Sequence, residues 1–264
     1  MHSVQIELDL RKTALENARE YYEKSKSAKS KLAGAQAAIK ETEKKIASHL
    51  NRKKFEKKPE VRVKVARLRE WFEKYHHFTT SGNDLVVAGR DAKSNDLLAA
   101  RHMEKDDLFF HADVHGASAV ILKGGQSASE QSKKEAAQFA ACYSSAWKAG
   151  QAVATVFAAT PEQVKKYSPG EYVAKGGFMI YGKKDYYRGV QLKLWLVKKE
   201  DRVFVVPECF DFAGAHGIQK LLVSPGQTAK SDAAKKLTAR LGLEPAMLDF
   251  LIQELPGSIY IEKE

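Results

Sequence analysis

The chain has 264 residues, of which 44% are apolar and 29% charged, with a formal net charge of +11. That apolar share supports a real core and excludes a disordered chain. No run of membrane-spanning length and no charged-then-apolar leader is present. Cys142 and Cys209 have no CxxC spacing, so they read as buried, reduced thiols of a cytosolic protein.

The positive charge is unevenly placed. Residues 11–69 hold 19 Lys and Arg against 7 Asp and Glu, a balance of +12, so the remainder of the chain is close to neutral. A basic first quarter points to a polyanion, and RNA is the expected one. A solvated helix face is the plain alternative.

Val4–Leu8 alternates apolar and polar residues, the period of a half-buried strand. From Leu10 to about Lys54 there is no proline and a single glycine, Gly34, which predicts a long basic helix. Its heptad seam (Ala14, Ala18, Tyr21, Ser25, Ala28, Leu32, Ala35, Ile39, Thr42, Ile46) is narrow and small-residued, so the helix is expected to need a partner. Pro59 breaks it. Val61, Val65, Leu68, Phe72 and Tyr75 return at helical spacing, and the folded domain is expected to begin near Trp71. His76–Thr80 and Leu85–Ala88 flank the turn Ser81-Gly82-Asn83-Asp84 as a hairpin. A helix to about Met103 follows, capped by Ser94 or Asn95. Strands are expected over Leu108–Ala112 and Ser118–Leu122, and a helix from Ser129 to Trp147 with Ala136, Phe139, Ala140, Tyr143 and Trp147 on one face. Strands Val153–Phe157, Phe178–Tyr181, Gln191–Val197, Arg202–Val206 and Lys220–Ser224 come next, the last halted by Pro225-Gly226. Helices over Thr228–Leu241 and Pro245–Leu255 close the chain. Without strict βαβ alternation the fold class is α+β: a long basic N-terminal helix, a coiled-coil arm, then a mixed, largely antiparallel sheet with packed helices. The expected segments are 1–58 (strand remnant and helix), 59–70 (linker), 71–189 (central domain) and 190–264 (a C-terminal extension packed on it).

Three groups of residues can carry function. Gly89-Arg90-Asp91 ends a strand before a capped helix, where Arg90 and free N–H groups suit a phosphate; an Arg90–carboxylate pair pinning the corner is equally compatible. His111, Asp113 and His115 lie at period 2 and share one face of an extended strand. They are acceptable transition-metal ligands, but without an evident fourth ligand, polar contacts to RNA or structural hydrogen bonds are the better reading. Lys183, Lys184 and Arg188, flanked by Tyr181, Tyr186 and Tyr187, form a basic turn that can bind phosphates and stack bases. Gly124-Gly125 and Gly176-Gly177 match no nucleotide-binding loop, and no serine lies in a GxSxG frame. No enzyme and no cofactor is expected. A metal-dependent enzyme at His111-x-Asp113-x-His115 is a distant alternative.

The segments WFEKYHHFTTSGNDLVVAGRDAKSNDLLAARHM, DLFFHADVHGAS, AAQFAACYSSAWKAG and SPGEYVAKGGFMIYGKKDYY resemble the NFACT-R domain of the ribosome quality-control NFACT proteins, in its archaeal and eukaryotic form. LDLRKTALENAREYYEKSKSAKSKL resembles the second coiled-coil arm that precedes it. The resemblance spans roughly residues 4–189 and implies an RNA-binding module. In the full proteins of that family it would act on large ribosomal subunits with stalled, tRNA-linked nascent chains, supporting tRNA recruitment and untemplated C-terminal tailing. It carries over Gly89, Arg90, Asp91, Asn95, His111, Asp113, His115, Gly116 and Ser118 as site positions. The large subunit and tRNA or rRNA are the implied partners, in the cytoplasm and with no membrane. An NFACT-N domain with its Asp-Arg motif, a helix-hairpin-helix segment and a first coiled-coil arm are all missing. Tailing by this chain alone is therefore not expected: it is part of a longer protein, or a short version that works with partners. A protein-interaction module, docking a ribosomal protein or a second copy through the coiled coil, is the alternative.

Overall fold

A Thr-x-x-Glu box starts the first helix. The Glu16 N–H donates to Thr13 Oγ1 (3.3 Å) and the Thr13 N–H to Glu16 Oε2 (2.8 Å), satisfying two backbone donors that a helix start leaves over. The computed structural model describes residues 7–53, 70–166, 174–200, 202–213 and 216–262. The chain divides into two units, residues 1–67 and 68–264, and each is taken by itself.

In the first unit α1 runs Ala14–Lys53. Buried Asn17 ties the preceding turn to it, accepting from the Asp9 N–H and donating to the Asp9 carbonyl, both at 3.0 Å. Tyr21 Oη donates to the Glu7 carbonyl at 2.7 Å. Residues 7–9 therefore lie against the helix start and form no strand, which corrects the Val4–Leu8 reading for its described part; residues 4–6 lie outside the described residues. Leu15, Tyr22, Leu32 and Ile39 are each more than half exposed.

The second unit opens with a 3-10 turn, Trp71–Lys74, and extended Tyr75, where helical spacing had predicted a continuing α-helix. The rest of that predicted helix, residues 61–69, lies outside the described residues. In chain order follow β1 (His76–Thr79), β2 (Leu85–Ala88), α2 (Ala92–His102), β3 (Leu108–Ala112), β4 (Val120–Leu122), α3 (Glu130–Cys142) and α4 (Ser145–Lys148). Then come β5 (Val153–Ala159), β6 (Val164–Lys165), β7 (Met179–Ile180), β8 (Asp185–Gln191), β9 (Leu194–Lys199), β10 (Arg202–Pro207), β11 (Ile218–Thr228), α5 (Lys230–Arg240), α6 (Leu248–Glu254) and β12 (Ile259–Ile261). A six-stranded antiparallel sheet has the order β1-β2-β4-β3-β5-β8, and a four-stranded one β10-β9-β11-β12; β6 and β7 pair separately. The fold is α+β, as expected.

Strand alternation assigns the two faces of the large sheet. Phe110, Ala112, Val156 and Ala158 point into the main core with Phe139, Ala140 and Trp147 of α3 and α4. That core continues through Leu194, Leu196 and Val223 to Leu237 and Leu251, so β9, β11, α5 and α6 share it. Phe109, Phe157 and Ala159 point the other way, against Phe178, Ile180 and Val164, while Leu98 of α2 covers Val87 and Ile121.

Two more elements depart from expectation. The single helix 129–147 is broken at Tyr143, because the Ser144 hydroxyl caps a new helix by accepting from the Ala146 N–H (3.2 Å). β11 runs through Pro225-Gly226 rather than stopping there; a register shift between Pro225 and Thr228 takes up the irregularity against β12, and such bulges tolerate proline. Cys142 and Cys209 are unpaired; burial raises the Cys142 thiol well above its ordinary pKa and pushes Cys209 up to about 12. Among the described residues no helix is long and apolar enough to cross a membrane.

Candidate nucleic-acid interface

The corner after β2 is built by reciprocal side-chain caps. Asp91, not Ser94 or Asn95, caps α2: its carboxylate accepts from the Ser94 N–H (2.7 Å), while Ser94 Oγ accepts from the Asp91 and Arg90 N–H groups (both 2.8 Å). The Ser94 N–H, followed by its hydroxyl, holds the Asp91 carboxyl below the usual range. Asn95 is spent elsewhere. Its buried amide accepts from the Ala119 N–H (3.1 Å) and donates to the Ala117 carbonyl (3.5 Å), tying α2 to the loop that leads into β4. Gly89 is obligatory at this contact, since a Cβ there would stand 2.0 Å from Asn95 Oδ1.

Arg90 turns its guanidinium away from the helix start. It bonds to Glu254 Oε1 (2.5 Å), Gln253 Oε1 (3.1 Å) and the Tyr75 carbonyl (3.3 Å). The carboxylate-pair reading of the corner is the geometry found, with a partner from α6.

The His-x-Asp-x-His alternation does not survive as one strand face. β3 ends at Ala112, and the Val114 N–H turns back to the Ala112 carbonyl (2.8 Å). His115 is exposed and its carbonyl accepts from Ser145 Oγ; the Ser118 N–H donates to the Tyr143 carbonyl (3.1 Å). His111 lies against the rings of Phe157 and Phe109, with centroids 5.7 and 6.2 Å away. Burial lowers its pKa, and backbone hydrogen bonds at Ala112 and Ala117 oppose the shift. Among the described residues no three His, Cys, Asp or Glu side chains form a group able to hold a metal.

What these residues do share is a cleft of about 730 Å³ over β3 and β5. Arg90, Asp91, Asn95, His111, Asp113, His115, Gly116, Ser118 and Lys184 all line it. Gly89 is not among the lining residues and packs on Asn95 instead. Lys183 lines a neighbouring hollow of about 470 Å³ with Lys184, Tyr186 and Tyr187, and the Arg188 guanidinium lies 6.0 Å from the Tyr186 ring on β8.

Phe157, Phe178 and Lys175 complete the cleft and went unrecognised in the sequence. Lys184 Nζ stands 4.5 Å from the Phe157 ring centroid, an attractive placement for a cation. Phe178 meets Phe109 edge-on at 5.4 Å. Residues 174–178 are docked on α2 by Asp96, which accepts from the Gly176 N–H (3.0 Å) and Lys166 Nζ (2.7 Å). Gly176, at φ +78°, fits because a Cβ would come within 2.6 Å of Ala92 Cα. The run Lys175-Gly176-Gly177-Phe178, a cation and an aromatic joined by two glycines, was the available signal.

Residues 74–182 match the family described as "NFACT protein RNA binding domain". The chain is 37% identical over 198 residues to the "Ribosome quality control complex subunit NEMF homolog" of Drosophila melanogaster, covering 72% of this chain and 20% of that protein. It is 37% identical over 137 residues to the "Archaeal Rqc2 homolog aRqcH" of Methanocaldococcus jannaschii (51% and 20%). The human "Ribosome quality control complex subunit NEMF" is 34% identical over 180 residues (66% and 16%). The chain thus spans about a fifth of the length of these relatives. Residues 74–182 are an NFACT RNA-binding domain, and through it the chain belongs to the NFACT family, beside its archaeal and eukaryotic members.

Proposed function

We propose that this chain supplies the RNA contact of a ribosome quality-control factor, meeting tRNA or rRNA on the large ribosomal subunit. The observation that carries the reading is the cleft beside α2, where Lys175 and Lys184 stand next to Phe157 and Phe178. Cations beside an aromatic ring that is at least partly accessible, as Phe178 is, are a usual surface for RNA, which is held by its phosphates and by unstacked bases. The relatives' names place them in ribosome quality control, and that setting makes ribosomal RNA and tRNA the polyanions to test first.

The basic helix α1 adds charge for approach. Its exposed Leu15, Leu32 and Ile39 suit a second helix, so we read α1 as one arm of a coiled coil whose partner belongs to the other parts of such a factor.

The test is binding of the whole chain to tRNA and to isolated large subunits across a salt series. Affinity that falls steeply with salt on a log–log plot supports the reading. Affinity that ignores salt would point to a protein partner instead.

A further inference from the structure

We propose that the cleft over β3 and β5 takes a single unpaired nucleotide of RNA, with its base on Phe178 and its phosphate between Lys184 and Lys175. The inference rests on the RNA-binding reading above and adds to it what part of an RNA is bound. A base paired in a helix cannot offer its flat face to a side chain, whereas an extruded one can.

Three features favour an unpaired nucleotide. The first is size: about 730 Å³ lies within the range of small-ligand pockets and excludes a duplex. The second is the state of the rings. Phe109 and Phe157 are buried, but Phe178 is half-buried, held edge-on by Phe109 and with the Lys166 ammonium over its ring at 5.2 Å. It is a ring held in place that still lines the cleft with part of its surface accessible.

The third is the pairing of the charges. Lys166, Lys123 and Arg90 are matched with Asp96, Asp107 and Glu254. Among the described residues, Lys175 and Lys184 have no carboxylate within ion-pair distance. Lys184 is held at the wall by the Phe157 ring instead. Two cations without a carboxylate partner therefore stand at the cleft. Asp113, exposed on the same rim, repels phosphate and accepts from a ribose hydroxyl or a base amino group. It turns the sugar and base toward the β3 end and leaves the phosphate to the lysines.

The test uses the whole chain with a short single-stranded RNA carrying one 4-thiouridine, and the same RNA annealed to its complement. Photo-crosslinks to the single strand are expected in the peptides that hold Phe157 or Phe178–Lys184. Phe178→Ala should weaken single-strand binding at least about fivefold, the loss of one stacked base, and leave duplex binding unchanged; Phe178→Trp should restore it. Crosslinks confined to other surfaces, or equal losses for both RNAs, overturn the single-nucleotide cleft while RNA binding stands. Absence of binding to either RNA overturns the RNA-binding reading together with this one.

Discussion

Arg90 and Glu254, 164 residues apart in sequence, form a buried ion pair in which the Glu254 side chain is 7% exposed. The same carboxylate accepts from His76 Nδ1 at 2.9 Å, and the Glu254 carbonyl accepts from Tyr143 Oη at 2.7 Å. Glu254 thus joins β1, the corner after β2 and the end of α3 to the C-terminal helix. Removing it leaves the guanidinium without its carboxylate and the buried imidazole without its acceptor. Glu254→Ala should cost about 3 kcal/mol, the lower end for breaking a buried pair, read as a lower urea midpoint at unchanged slope. Arg90→Ala should also destabilise. Under conditions where it is fully folded it should bind RNA within about twofold of the unchanged chain, because its guanidinium is already engaged; a salt-dependent loss far larger than that would make Arg90 a phosphate contact.

His76 gives this cluster a pH dependence. Burial lowers its pKa more than the hydrogen bond to Glu254 raises it, and the Arg90 and Lys230 charges act in the same lowering direction. The imidazole is therefore neutral in the folded chain and donates from Nδ1. In the unfolded chain it titrates near 6.5, so below that pH the unfolded state binds the extra proton. Stability is fully present above about pH 6.5 and is lost as pH falls toward the folded-state pKa. His102 and His111 are shifted the same way, chiefly by burial, and add to the slope. Urea midpoints should drop between pH 7 and pH 5.5, and His76→Asn should reduce the slope by at most about 1.4 kcal/mol per pH unit. A midpoint that rises on acidification would contradict the neutral assignment.

Local signals carried much of the fold. The hairpin was legible because alternation and the Ser81–Asp84 turn agree, and its register pairs His76 with Ala88 and Thr79 with Leu85. Asp91 was missed as a cap because Ser94 and Asn95 are equally good capping types; what separates them is that Asn95 is needed by Ala119. β8 was not read as one strand since, at the sheet edge, its residues are mostly exposed and show no alternation. The Glu254 hub and the Asp96–Gly176 contact pair residues that are distant along the chain. Periodicity reports which face a residue is on, never which partner it meets. For the same reason the site residues were identified singly, while the cleft that collects nine of them depends on Phe157 of β5 and on Phe178 just before β7.

Gly176 tests whether residues 174–178 act through their docking on α2. Alanine there would adopt a strained left-handed backbone, worth about 1–2 kcal/mol, and would press on Ala92 Cα and Cβ. The main core of the second unit does not include these residues, so local undocking limits the loss and the urea midpoint should fall by no more than that strain accounts for. Single-strand RNA affinity should fall several-fold, and amide exchange at 174–180 should quicken. An affinity loss without faster exchange would mean that the segment stays docked and the cleft is altered in some other way.

Charge removal at the cleft distinguishes phosphate contacts from mere proximity. Each phosphate neutralised on a single strand contributes about 0.7 to the slope of log affinity against log salt. Lys184→Gln and Lys175→Gln should each make the slope shallower by about that amount, with no effect on the urea midpoint for Lys175, which is exposed. Lys184→Gln also gives up the placement over Phe157, so a small loss of stability is expected with it. Lys133→Gln serves as the control, since its ammonium is matched with Glu130 at 3.0 Å. If all three variants lower the slope equally, the effect is one of overall charge, and the phosphate does not sit between Lys184 and Lys175. If only the cleft lysines do so, the phosphate is placed there by the same residues that border the aromatic platform.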